Sequence, residues 1–177
     1  MSQIKCFFAV PMTINAGFSC EAHDHSCTEL VLHIKSEGWI VEEDQRLKYN
    51  DRDIVIHQPG TNHWVENIKE GTHYCIGVSG VDASSLPVGV YPSTDEIRKI
   101  YQQISDEVSG KKENRQKMLD FLSGILVIQL KRLVKPVEIE KQTSYHAQKQ
   151  KTSLMPILLN LLTCLKWHLL FSSVRII

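Results

Sequence analysis

The sequence predicts a mainly β fold with C-terminal helices: a small sandwich or barrel, then an antiparallel helix pair. Three observations predict it. From Cys6 to Ser79, short β-branched and aromatic runs alternate with turn residues, a spacing too close and regular for βαβ units. After Pro92 the apolar period lengthens to a helical one. His23, His25, Glu29 and His63 recur where neighbouring strands can bring them to one point.

Taken in order, the apolar run Cys6–Val10 is too short for a secretory signal and reads as a first strand or arm. Trp39–Val41, Ile54–Ile56 and Tyr74–Val78 are strand cores. Glu42-Glu43-Asp44, Asn50-Asp51, Pro59-Gly60 and Lys69-Glu70-Gly71 are the turns between them. Pro59-Gly60 also fixes where His63 re-enters the barrel. Val81 to Pro92 reads as a connector punctuated by Pro87, Gly89 and Pro92.

Ser93-Thr94-Asp95-Glu96 then reads as a capping box, a hydroxyl for free N–H groups with a glutamate three positions on. Ile97, Ile100, Tyr101, Ile104 and Val108 form one helical stripe ending before Gly110. A second helix runs from about Glu113 to Val134 with a broad apolar face, and Pro136 stops it. That face must be buried against the barrel, the first helix or another subunit. Leu119, Leu122, Ile125, Leu126 and Leu133 are the expected dimerisation residues, with a homodimer as the partner. The expected organisation is therefore a barrel over 1–92, a helical segment over 93–135, and a linker with an atypical leucine-rich tail over 136–177.

Twenty basic and twenty acidic residues in a chain of 177 give zero formal charge. Autonomous DNA binding normally needs a basic excess. Five cysteines without framework-like spacing, and no secretory signal, favour a reducing cytoplasm. The tail from Leu154 is interrupted by Pro156, Asn160, Lys166 and His168, a poor fit to a membrane helix.

Side chains two apart on a strand point the same way, so His23, His25 and Glu29 share a face if the pairing carries no bulge. With His63 they make three imidazoles and one carboxylate, a set that suits a divalent metal: zinc, iron, manganese or nickel, with copper also within reach of the imidazoles. Without metal, the same four groups would hydrogen-bond a sugar or acid. Two histidines and a glutamate buried with neither would carry a desolvation penalty. Trp39 and Trp64 are candidate ligand-stacking residues, and Tyr49 shares that reading, although aromatics in a small barrel are usually core. Cys27 and His33 share strand parity with the cluster, Cys27 reading as a small apolar filler. His57 and His73 read as surface or pocket-rim residues.

Gly17, His23, His25 and Glu29, followed by Pro59, Gly60, His63 and Asn67, resemble the two signature motifs of the cupin superfamily, small jelly-roll-like barrels that hold a metal or small ligand. Arg52 replaces an expected glycine, and the glycine usual after Glu29 arrives late, at Gly38. A cupin barrel followed by a helix pair ending Ile125–Arg132 is similar, over roughly residues 5–135, to the sensing and dimerisation half of AraC-family transcription regulators. That resemblance implies a small-molecule effector in the barrel, a helical dimer contact, and DNA binding only through a separate helix-turn-helix domain.

Such a domain needs about a hundred residues, whereas about forty follow Pro136 and show no helix-turn-helix pattern. One base out of frame, the codons of Leu165–His168 can read x-(Glu/Lys/Gln)-(Met/Val)-Ala, compatible with the Glu-x-Ala of the family's first DNA-binding helix. The alternative is a stand-alone metal-dependent cupin enzyme, a dioxygenase or isomerase, for which the sequence offers no second catalytic group.

Overall fold

The structure, a computed structural model, describes residues 3–110 and 112–135. The expectations for 136–177, including the linker, the tail and the shifted frame, lie outside the described residues. Eight strands precede two helices: β1 (Lys5–Ile14), β2 (Thr28–Ile34), β3 (Glu37–Glu42), β4 (Gln45–Tyr49), β5 (Asp53–His57), β6 (His63–Lys69), β7 (Gly71–Ser79), β8 (Gly89–Pro92), α1 (Asp95–Ser109) and α2 (Arg115–Val134).

All strand pairs are antiparallel. They form a five-stranded sheet in the order β1-β7-β2-β5-β8 and a three-stranded sheet in the order β4-β3-β6, the two walls of a jelly-roll barrel. The five-stranded sheet is covered on both faces. Leu30, Leu32, Ile54, Ile56, Ile76 and Val78 join the core that receives the helices. Val31, Val55 and Cys75 meet Ile40 and Tyr49 of the opposite sheet inside the barrel. Strict alternation along β2, β5 and β7 produces this division. It also explains why β2 reads as an almost unbroken buried run.

Four sequence expectations change. Gly89–Pro92 is an edge strand on β5, not connector. An edge position accepts Pro92, which has no N–H to give a ladder. The α1 cap is Thr94 rather than Ser93, its side chain accepting from the Ile97 N–H. Ser93 is instead the acceptor for Arg98.

The third and fourth changes concern side-chain roles. Leu119 and Leu126 are buried in the shared core, and Leu122 and Leu133 pack against it, so these four are intramolecular contacts. Of the expected dimer residues only Ile125 is exposed, alongside Met118, Phe121 and Ile128. The broad apolar face is really two faces, and the sheet takes one. Trp39 and Trp64 lie on the outer side of the three-stranded sheet, because Ile40, Glu42, His63 and Asn67 take the inward parity. There Arg46 stacks 4.5 Å above Trp39 and pairs with Glu66, which also accepts from Trp64. Neither tryptophan lines the cavity.

Among the described residues no helix is long and apolar enough to cross a membrane. The late glycine, Gly38, has a packing reason: a Cβ there would overlap the Tyr49 hydroxyl and the Glu66 carbonyl. Gly38→Ala should therefore cost about 1–3 kcal/mol through overpacking. Urea denaturation would show this as a lower midpoint with an unchanged slope.

Candidate metal centre and cavity

β2 supplies Glu29 and β6 supplies His63, both buried. His23 and His25 precede β2 in irregular chain, so strand alternation is not what aligns them. A single antiparallel bridge does so, with His23 N–H to His63 O at 3.0 Å and His63 N–H to His23 O at 2.9 Å. The Pro59-Gly60 turn adds a second tie. Gly60 adopts φ +75°, the left-handed value glycine accepts freely, and its N–H donates to the His25 carbonyl at 2.8 Å. One ligand atom from each of His23, His25, Glu29 and His63 lies within 4.8 Å of the others.

Backbone carbonyls fix two of the imidazoles. His23 Nδ1–H donates to Glu21 O at 2.8 Å and His63 Nδ1–H to Thr61 O at 2.9 Å. Each Nε2 is then left for the centre, the tautomer a metal-ligating histidine uses. His63 Nε2 sits 3.2 Å from Glu29 Oε2, and His25 Nε2 sits 3.3 Å from the same oxygen. Lone pairs this close to a carboxylate repel unless a cation, a proton or a metal ion, lies among them. His25 Nε2 is also buried without a hydrogen bond. This donor set fits a divalent first-row metal.

The titration of these groups reflects the same crowding. Burial opposes the Glu29 charge, but the His63 hydrogen bond and the nearby imidazoles outweigh it and hold the carboxyl below its ordinary value. Burial likewise opposes charge on His63, yet Glu29 and the Thr61 carbonyl raise it. For His25, burial prevails and lowers it.

The centre forms one end of a cavity of about 250 Å³. Its walls are mainly apolar, with Met12, Ile14, Phe18, Val31, Val65 and Cys75 between the ligand residues and His73. His57 also lines it, against the expectation of a surface or rim role. It is buried, stacks on His63 at 3.8 Å between ring centroids, and donates from Nδ1 to Glu42 at 3.0 Å. His33 and His73 are equally buried. His33 stacks on Tyr49 at 3.8 Å and meets His73 edge-on. Parity with Glu29 marks His33 from the sequence, and the same signal could have found His57 and His73, which share inward parity with Val55 and Cys75.

Neither a family model nor a curated protein matches the chain. Solved structures align with part of it. A predicted oxalate decarboxylase from Thermotoga maritima is 17% identical, with 41% of this chain and 65% of that one covered and a TM-score of 0.38. A cupin 2 conserved barrel domain protein from Salinispora arenicola is 18% identical, with 46% and 76% covered and a TM-score of 0.37. The oxalate decarboxylase of Bacillus subtilis, a protein with Mn(II) centres, is 16% identical, with 60% and 32% covered and a TM-score of 0.38. The chain thus spans just under two thirds of the Thermotoga protein and about a third of the Bacillus enzyme.

Burial lowers His73 from 6.5 to about 4. The unfolded chain therefore binds a proton that the folded chain refuses between those values, so His73 costs no stability above pH 6.5 and progressively more below it. The loss by pH 4 is on the order of 3 kcal/mol. Replacing His73 with phenylalanine should flatten the fall in stability between pH 6.5 and 4 by about one proton's slope, read from urea titrations at stepped pH.

Proposed function

We propose that residues 3–135 are a metal-containing, ligand-sensing cupin module that dimerises, as in the sensing half of AraC-family transcription regulators. The observation that carries this reading is the double employment of β1. Near its C-terminal end, Met12 and Ile14 line the cavity. Near its start, α2 grips the strand by its backbone: Cys6 N–H donates to Asp120 at 2.9 Å, and Gln116 donates to Cys6 O at 2.9 Å. A ligand that shifts β1 has a direct mechanical route to α2. Differential contacts of this kind are what a coupling of about 1–3 kcal/mol requires.

His23, His25, Glu29 and His63 would hold the ion. When bound, it supplies a Lewis-acid point for an oxygen or nitrogen of the ligand. The chain itself does the rest. Glu21 and Thr61 carbonyls hold the imidazoles in register, and the apolar walls exclude water and select an apolar ligand body. A sugar would leave several hydroxyls unpaired against those walls, a cost that favours other chemistry. The exposed row Met118, Phe121, Ile125 and Ile128 supports a contact with a second copy.

One observation favours the enzyme reading. The buried His57–Glu42 pair, stacked on His63, is a proton-holding group beside the centre, the element the sequence alone does not supply. Under that reading, His57→Phe abolishes turnover while metal content stays intact.

Protein purified without added metal should carry about one divalent ion per chain by elemental analysis, and His63→Ala or Glu29→Ala should weaken binding at least tenfold. Metal-free protein with no affinity for zinc, manganese, iron or nickel would sink the proposal. The dimer has its own check. Light scattering after size exclusion should give twice the chain mass, and Phe121→Asp with Ile125→Asp should halve it while the far-UV circular dichroism of the folded chain stays unchanged.

A further inference from the structure

A chain of hydrogen bonds behind the cavity fixes the protonation of its far wall. Asn67 donates through Nδ2 to Asn15 O at 2.9 Å and Lys69 O at 2.8 Å. Two carbonyl acceptors leave its amide only one orientation, so Oδ1 is the acceptor. Tyr49 O–H and Ser36 O–H both donate to that oxygen, at 2.5 and 2.8 Å. The serine has then spent its one proton. Its oxygen lies 2.9 Å from His73 Nε2, and this contact can form only with the imidazole as donor. His73 therefore carries its proton on Nε2 and a lone pair on Nδ1. Burial keeps the ring neutral. Among the described residues Nδ1 has no protein partner, and His73 lines the cavity.

We infer that this lone pair is a second recognition point. The cavity takes an elongated ligand with an oxygen-bearing acid head at the metal centre, an apolar body, and a distal hydroxyl or N–H that donates to His73 Nδ1. The head assignment rests on the proposed metal centre; the tail assignment does not. The strand register sets the span. Glu29 pairs with Gly77 and His33 with His73, so the two ends lie about 13 Å apart along β2 and β7. A metal–oxygen bond of about 2 Å and a hydrogen bond of about 3 Å leave roughly 8 Å for the ligand itself, the scale of a para-hydroxylated cinnamate. Val31, Cys75 and Ile14 flank the path and offer an aromatic body only apolar contact.

The test is calorimetric titration of the zinc-loaded full chain with 4-hydroxycinnamate, 4-methoxycinnamate and cinnamate. The hydroxylated probe should bind at least about tenfold more tightly than the other two, since only it offers a donor where a buried acceptor waits. His73→Phe should erase that preference while zinc content stays the same. Equal affinities, a preference that survives in His73→Phe, or no binding by any of the three overturns the assignment.

Nitrogen-15 NMR of histidine-labelled protein gives an independent reading that needs neither ligand nor metal. It should show His73 neutral with its proton on Nε2, and Ser36→Ala should release that preference. A proton on Nδ1 in the unmodified chain overturns the inference even if zinc binds. Absence of zinc with the Nε2–H tautomer intact overturns only the metal centre.

Discussion

The structure depends on the parity of β2. Glu29, Val31 and His33 point into the barrel, while Leu30 and Leu32 point toward the helices. A slip of one residue would exchange the faces, sending the carboxylate into the helix core and two leucines into the cavity. Two apolar cores hold the register from opposite sides. The same strand also pairs with both β5 and β7, so a slip would have to break two ladders at once.

This constraint explains how a small barrel holds so much polar chemistry without losing its core. Glu29, His33, Glu42, His57, His63 and His73 are all buried, an arrangement that ordinarily costs several kcal/mol per unpaired charge. The groups are arranged to limit charge. His73 is neutral, and burial together with its neighbour His73 holds His33 well below its ordinary range. Tyr49, raised to about 12, stays protonated and donates. Net charge gathers at the metal end, where a cation would balance it. The serine–asparagine–tyrosine relay at the other end is closed by hydrogen bonds alone.

Much of the architecture was legible in the residues. Turn dipeptides and β-branched runs located the strand cores, and the change of period after Pro92 located α1 and α2. The four centre residues could be named because spaced histidines and a carboxylate are rare enough to stand out. What escaped was whatever depends on the partner of a segment rather than on the segment. Gly89–Pro92 looks like loop because glycine and proline dominate it, and only pairing with β5 makes it a strand. The α2 face looks single because helical periodicity cannot say where one contact surface ends and another begins. His57 and His73 looked peripheral because turns adjoin them in sequence, although each is enclosed by the opposite sheet in space. Trp39 and Trp64 were misread in the reverse sense: aromatic size suggested the interior, whereas parity set by Ile40 and His63 turned them out.

The four centre residues are not equally anchored. Glu29 and His63 sit on paired strands, whereas His23 and His25 sit on an irregular segment tied to β6 by two isolated bridges, Ser19 to Glu66 and His23 to His63, and by the glycine turn. Two of the four groups at the proposed centre therefore depend on backbone ties to β6 rather than on a strand of their own. Were an ion held there, its affinity would be tunable through residues of this segment other than His23 and His25, with β2 left unchanged.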